Sequence, residues 1–301
     1  MSNTLIRFDW AIKRLLRNKA NFVILEGFLS ELLKEDIRIV EILESESNMQ
    51  DAGNKLTLVN LLVKNATGEL VIIEVQNIYK HDYLLRILFG VAKLIVDNMG
   101  KRMDYSNVKK VISVNIVYFN FGQGEDYIYR GSTNYVGMYK EDILALSDHE
   151  KIVFKAERID KIYPEFYIIK VNNFNNVAKN TLDEWVNFLK TEEVKVGSQA
   201  KGLTEAKEEI EMLKLDKAAM AEYDREVEAW RDYSSDMSTH FMAGKLEGIE
   251  QGKQQGIQQG ILDGKLAIAR NCIEEGMTII QISKITGLPH EILIKYLDEL
   301  G

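Results

Sequence analysis

The residues best able to do chemistry are Glu74 and Gln76, set in a run, Leu70-Val71-Ile72-Ile73-Glu74-Val75-Gln76, whose other members are all apolar. Alternate residues of an extended strand share a face, so a carboxylate and an amide project together from an element built for burial. A charge in such a place is costly unless it is paired, protonated or bound to a cation. The preceding run, Asn60 to Asn65, is also of β type, and Asn-Ala-Thr-Gly joins the two into a hairpin. A hairpin that uses magnesium needs an acid on its first strand, an acid on its second, and a polar group two places on that orients water. The ion then polarises a scissile phosphate and lowers the pKa of its water. Glu74 fills the second position and Gln76 the third, while the first-strand position is held by Asn60.

The elements around the hairpin read as an α/β core. Residues 8–34 carry apolar positions at helical spacing, with a break between Asn18 and Asn21. Three strand-like stretches follow at 37–47, 55–65 and 69–77, then a mostly apolar helix at 80–98, predicted to be buried against a sheet, and a buried strand at 108–121. That order suggests a meander continued by a crossover. Short strands around Tyr127–Arg130 and Glu165–Val171 and a helix around Thr181–Lys190 complete this part. Residues 203–234, rich in Glu, Lys, Ala and Met, read as an amphipathic helix that packs on the core or on a partner.

Further on, glycine recurs at every fourth position from Gly244 to Gly264. Each glycine costs a helix interior about 1 kcal/mol relative to alanine. The segment is therefore either a helix offset by close approach of a partner or a low-complexity tether. At about 100° per residue a four-residue step drifts about 40°, so the glycines wind around the helix. Residues 266–300 read helix, Thr-Gly-Leu-Pro turn, helix. The second of these helices offers His290 and Lys295 against Glu291, Asp298 and Glu299, which favours a structural or oligomerising cap over a DNA reader.

The formal net charge of −8 is unevenly spread: residues 1–121 hold 16 Lys and Arg against 14 Asp and Glu, so the acidity belongs to the remainder. The N-terminal part can still meet phosphates. Lys13, Arg14, Arg17 and Lys19 cluster on the first helix, although a solvated face is the simpler reading of each. The single cysteine, Cys272, excludes an intrachain disulfide and a cysteine-cluster zinc site. The four histidines are scattered, and no nucleotide-binding glycine loop is present. With no run of eighteen apolar residues and no signal-peptide pattern, the chain reads as cytoplasmic, without a membrane partner.

Taken in order, Phe8-Asp9-Trp10-Ala11-Ile12-Lys13-Arg14-Leu15-Leu16, the hairpin of residues 60–77, the helix beginning Asp82-Tyr83-Leu84-Leu85-Arg86 and the strand of residues 109–119 resemble the PD-(D/E)XK nuclease family transposases, the recombination-promoting nuclease group. The resemblance covers residues 5–190, and the glycine-rich tail also recurs in such proteins. It implies a restriction-endonuclease-like core at 1–195, a mixed sheet flanked by helices. A helical extension at 196–270 and a small helix-turn-helix-like cap at 271–301 would follow. It further implies Mg²⁺, with Mn²⁺ as an alternative, and DNA as the partner; the long C-terminal helices suggest self-association. Carried over by position, Glu74 matches the metal-binding Glu, Gln76 the substitute for the family's lysine, and Asp9 the acid of the first helix. Tyr83 and Arg86 match polar positions that can face a phosphate. Arg86 can equally satisfy a nearby carboxylate, and Asp9 can equally complement the helix dipole. Asn60 departs from the pattern, which leads to Asp there. An amide oxygen can ligate Mg²⁺ but brings no charge, so a weakened nuclease, a non-catalytic DNA-binding relic and an oligomeric interaction protein all remain open.

Overall fold

A buried hairpin organises the first of two units. The computed structural model describes residues 8–16, 22–43, 60–99, 105 and 108–300, and divides into Met1–Val227 and Glu228–Gly301. The first unit begins with α1 (Phe8–Leu16), α2 (Val23–Leu33), β1 (Ile39–Leu43), β2 (Asn60–Asn65), β3 (Leu70–Gln76), α3 (Tyr83–Asn98) and β4 (Val111–Val117). It continues with β5 (Ile128–Gly131), α4 (Asp148–Phe154), β6 (Glu165–Lys170), α5 (Thr181–Thr191), α6 (Leu203–Leu215) and the start of α7 (Lys217–Glu274).

The six strands form one mixed sheet in the order β1-β2-β3-β4-β6-β5. β1, β2 and β3 are an antiparallel meander, β3–β4 and β4–β6 are parallel, and β5 returns antiparallel to β6. The turn between β2 and β3 follows from its residues. Asn65 Oδ1 accepts from the Thr67 hydroxyl at 2.7 Å and from the Glu69 amide at 2.8 Å, and Gly68 takes a φ of 84°. A parallel β3–β4 pair needs a long crossover, which α3 supplies. Every residue of β3 and β4 is buried, as near-continuous Val/Ile runs require when both faces are covered.

Period two divides the apolar residues between two layers. Val71, Ile73, Val75, Ile112, Val114 and Ile116 join the main core with α1, α2, α5, α6 and the first turns of α7. Leu62, Leu70, Ile72, Val111 and Val117 face the other way and meet α3. In the main core α2 lies so close to the start of α6 that a Cβ on Gly27 would stand 2.0 Å from the Lys201 carbonyl oxygen. The indole of Trp185 donates to that same oxygen at 3.2 Å. Leu203, Ala206, Ile210 and Leu213 bury the apolar stripe of α6, so this segment packs on the core.

Three details depart from the sequence reading. The stretch 203–234 is two helices, because Asp216 leaves helical backbone and its carboxylate accepts from the amides of Ala218 at 2.9 Å and Ala219 at 3.2 Å, starting α7 afresh. α3 buries only one side: Tyr83, Ile87 and Val91 are buried while Leu84, Leu85, Leu88 and Phe89 are more than half exposed. Arg14 is a structural residue, 2.6 Å from the Glu222 carboxylate and stacked 5.5 Å from the centre of the Trp10 ring. Arg17 and Lys19, like the N-terminal part of the strand expected at 55–65, lie outside the described residues.

In the second unit the remainder of α7 is followed by α8 (Ile279–Thr286) and α9 (His290–Leu300). Thr278 and Gln281 form a reciprocal capping box at the start of α8, and Gly287 ends it with a φ of 67°. Ala269, Cys272, Ile282, Leu288 and Leu293 form a small core of their own. Gly244 to Gly264 are all helical, and a Cβ built on any of the six would touch nothing within 4 Å. No helix among the described residues is long and apolar enough to cross a membrane.

Candidate active site

Glu74 lies in a row of register partners that crosses four strands: Asn60 on β2, Glu74 on β3, Asn115 on β4 and Ile168 on β6. Gln76 follows two places on, opposite Val117. Glu74 and Gln76 are each 6% exposed, and Asn115 is fully buried. The sheet face they share is the one covered by α3, since Ile72 and Val117 on that face pack with α3 residues. Gln76 is oriented by its amide nitrogen, which donates to the Ile78 carbonyl at 3.0 Å. The side chain of Asn60 is outside the described residues, but its backbone fixes it directly across from Glu74.

The start of α3 closes over this row. Tyr83 is 1% exposed and meets Phe119 and Phe121 edge-on, with ring centres 5.6 and 5.5 Å away. Burial pushes its phenol far above the ordinary value, the charge of Glu74 adds to the rise, and the charge of Arg86 opposes it. Tyr83 is therefore a neutral phenol in the working pH range, and its sensitivity to both charges brings Glu74 and Arg86 into one neighbourhood. Its hydroxyl oxygen is buried with no hydrogen-bond partner among the described residues. α1, which carries Asp9, packs against the main core, on the face of Ile73 and Val75, and the Asp9 side chain is outside the described residues.

Two polar residues of β4, in or beside this row, were not singled out from the sequence. In β4, Val111-Ile112-Ser113-Val114-Asn115-Ile116-Val117, two polar residues stand two apart inside a buried strand, the same signal that drew attention to Glu74 and Gln76. The Asn115 amide nitrogen donates to the Ser113 hydroxyl and to the Tyr167 carbonyl, each at 3.0 Å. Its oxygen is buried with no hydrogen-bond partner among the described residues.

On the opposite face of the sheet, Glu165 heads a second polar cluster. Its carboxylate receives the Lys110 ammonium at 2.9 Å, the Arg130 guanidinium at 2.5 Å and the Tyr167 hydroxyl at 2.6 Å. Burial raises its pKa, but these three donors outweigh burial and bring it down to about 2. Arg158 grips Asp160 through two bonds of 2.8 and 2.7 Å, with Arg130 3.9 Å from the same carboxylate. This cluster is saturated, which marks it as structural.

The α3 side differs in that the Asn115 amide oxygen and the Tyr83 hydroxyl have no hydrogen-bond partner among the described residues. A carboxylate and an amide oxygen stand there as register partners, hard donors of the kind that magnesium and manganese take. Among the described residues no three His, Cys, Asp or Glu side chains gather at one place, so a cation beside Glu74 draws on neutral oxygens as well. The residues present fit a divalent ion on those terms.

No curated protein and no solved structure matches the chain. The family model described as PD-(D/E)XK nuclease family transposase matches residues 6–240, a span that includes the whole sheet and α3. Nucleases of this type generally use divalent metals and act on DNA, and the mixed sheet flanked by helices is restriction-endonuclease-like. The chain belongs to the PD-(D/E)XK nuclease family transposases.

Proposed function

We propose that the chain is a Mg²⁺- or Mn²⁺-dependent DNA endonuclease of recombination or mobile-element movement, weakened because Asn60 stands where the family pattern leads to Asp. The observation that carries this reading is the pairing of Asn60 with buried Glu74 in the hairpin register, with Gln76 two places on. Glu74 and Asn60 would hold the ion, whose chemistry is to polarise the scissile phosphate and lower the pKa of a water. Gln76, held by the Ile78 carbonyl, orients that water. Arg86 and Tyr83, at the start of α3, bound the space where a phosphate enters. Asp9 belongs to the proposal only as an acid at the start of α1. Action in the cytoplasm and self-association through the C-terminal helices complete the reading.

The test is nicking of supercoiled plasmid with Mg²⁺ or Mn²⁺ by the wild-type chain, Asn60→Asp and Glu74→Ala. Restoring a carboxylate at position 60 is expected to raise the rate at least about tenfold, and Glu74→Ala to leave only background. An Asn60→Asp chain that stays inert across divalent metals and DNA substrates ends the nuclease reading. The missing charge at position 60 also favours a second reading, a DNA-binding relic, which predicts salt-sensitive retention of DNA without products. Self-association is read from the solution mass of the full chain.

A further inference from the structure

We propose that Asn115 is an additional oxygen ligand, from the third strand of the row, for the divalent cation at Glu74. This rests on the reading of Glu74 as a cation ligand and goes beyond it, since neither the hairpin nor the start of α3 contains Asn115. The argument begins with β4, whose seven residues are all buried. An amide in the middle of such a strand is costly unless its polar atoms are used. The nitrogen of Asn115 is used twice, by Ser113 and by the Tyr167 carbonyl. A carbonyl can only accept, so this bond fixes which end of the amide is nitrogen and holds that end on the β6 side.

The oxygen is left on the other side of the amide, buried and with no hydrogen-bond partner among the described residues. Asn115 is the register partner of Glu74 on the adjacent parallel strand, so both side chains leave the same face from backbones about 4.8 Å apart. A buried amide oxygen with no donor among the described residues is a cost until something positive or hydrogen-donating meets it. A hard cation at Glu74 would do so, and since no three His, Cys, Asp or Glu gather at one place among the described residues, its shell has room for a neutral amide oxygen. Ser113, by occupying the amide nitrogen, is the positioning residue for that oxygen.

The test is Mn²⁺ titration of the full chain without DNA, followed by calorimetry and by the loss of the free-Mn²⁺ electron paramagnetic resonance signal. The wild-type chain, Glu74→Ala, Asn115→Ala and Asn115→Asp are compared, with circular dichroism in EDTA as the check on folding. The proposal expects binding in the wild type, none in Glu74→Ala, about tenfold weaker binding in Asn115→Ala and tighter binding in Asn115→Asp, because added ligand charge raises affinity. If Asn115→Ala does not fold, Asn115→Asp and Ser113→Ala decide, the first by tightening and the second by weakening. Wild-type affinity in the folded Asn115 variants, with binding still lost in Glu74→Ala, overturns the role of Asn115 and leaves the Glu74 reading intact; a water then serves the amide oxygen. Absence of Mn²⁺ binding by the wild-type chain overturns both.

Discussion

The sheet carries two buried polar clusters, one on each face, and they are built to opposite specifications. Around Glu165, every oxygen has a donor: Lys110 on one side of the carboxylate, Arg130 and Tyr167 on the other. Around Asn115 and Tyr83, two buried oxygens have no donor among the described residues. A fully satisfied cluster contributes rigidity and has nothing left to offer a ligand, whereas spare acceptors in a core are a cost that a bound group can remove. The first cluster is built to hold the sheet together, and the second is where the proposed cation would be bound.

The largest expected effect tests the structural side. Glu165→Gln leaves Lys110 and Arg130 without their shared carboxylate and should lower stability by about 3 kcal/mol in urea denaturation, with cation binding by the folded fraction unchanged. Loss of cation binding at unaltered stability would break the comparison. The pH dependence sharpens it. Because the folded-state pKa of Glu165 is depressed to about 2, its contribution is complete above the ordinary carboxylate value of 4.5 and is lost as pH falls toward 2. The stability gap between wild type and Glu165→Gln should therefore be flat near neutrality and close over that acid window.

On the other face, Ser113→Ala removes one buried hydrogen bond from the Asn115 amide and should cost about 1 kcal/mol. A cost as large as that of Glu165→Gln would show that the α3-side cluster is structural too. The smallest effect belongs to the second unit, where Gly256→Ala meets no atom within 4 Å. The substitution should stabilise α7 by about 0.5–1 kcal/mol, seen as a higher melting temperature. A fall in the solution mass of an assembled chain, in place of that gain, would show that the glycine seats a second helix.

Much of this architecture is legible in the residues, for reasons of period. The alternation of Glu74 and Gln76, the Asn-Ala-Thr-Gly turn and the long apolar run ending at Val117 each correspond to a local rule, and β2, β3 and β4 lie where those rules put them. Asn115 was hidden by its neighbours: a strand so apolar reads as core, and its partner Glu74 is 41 positions away in sequence, so only the parallel register brings the two together. The exposed side of α3 was hidden for the converse reason. Leucine and phenylalanine on a helix announce burial without saying how many sides are covered, and here the sheet reaches only the side of Tyr83, Ile87 and Val91. The helix break at Asp216 was readable as a capping aspartate before two alanines, but the surrounding helix-forming composition masks it.

The crossover through α3 also sets when the site can exist. The hairpin bearing Glu74 closes within a few residues, yet Asn115 reaches it only after α3 has crossed the sheet and β4 has docked, and the carbonyl that orients Asn115 belongs to β6, later still. A chain emerging from synthesis therefore has its hairpin residues together long before the row that includes Asn115 is complete, and the cation site proposed there would form only with the closing strands of the sheet.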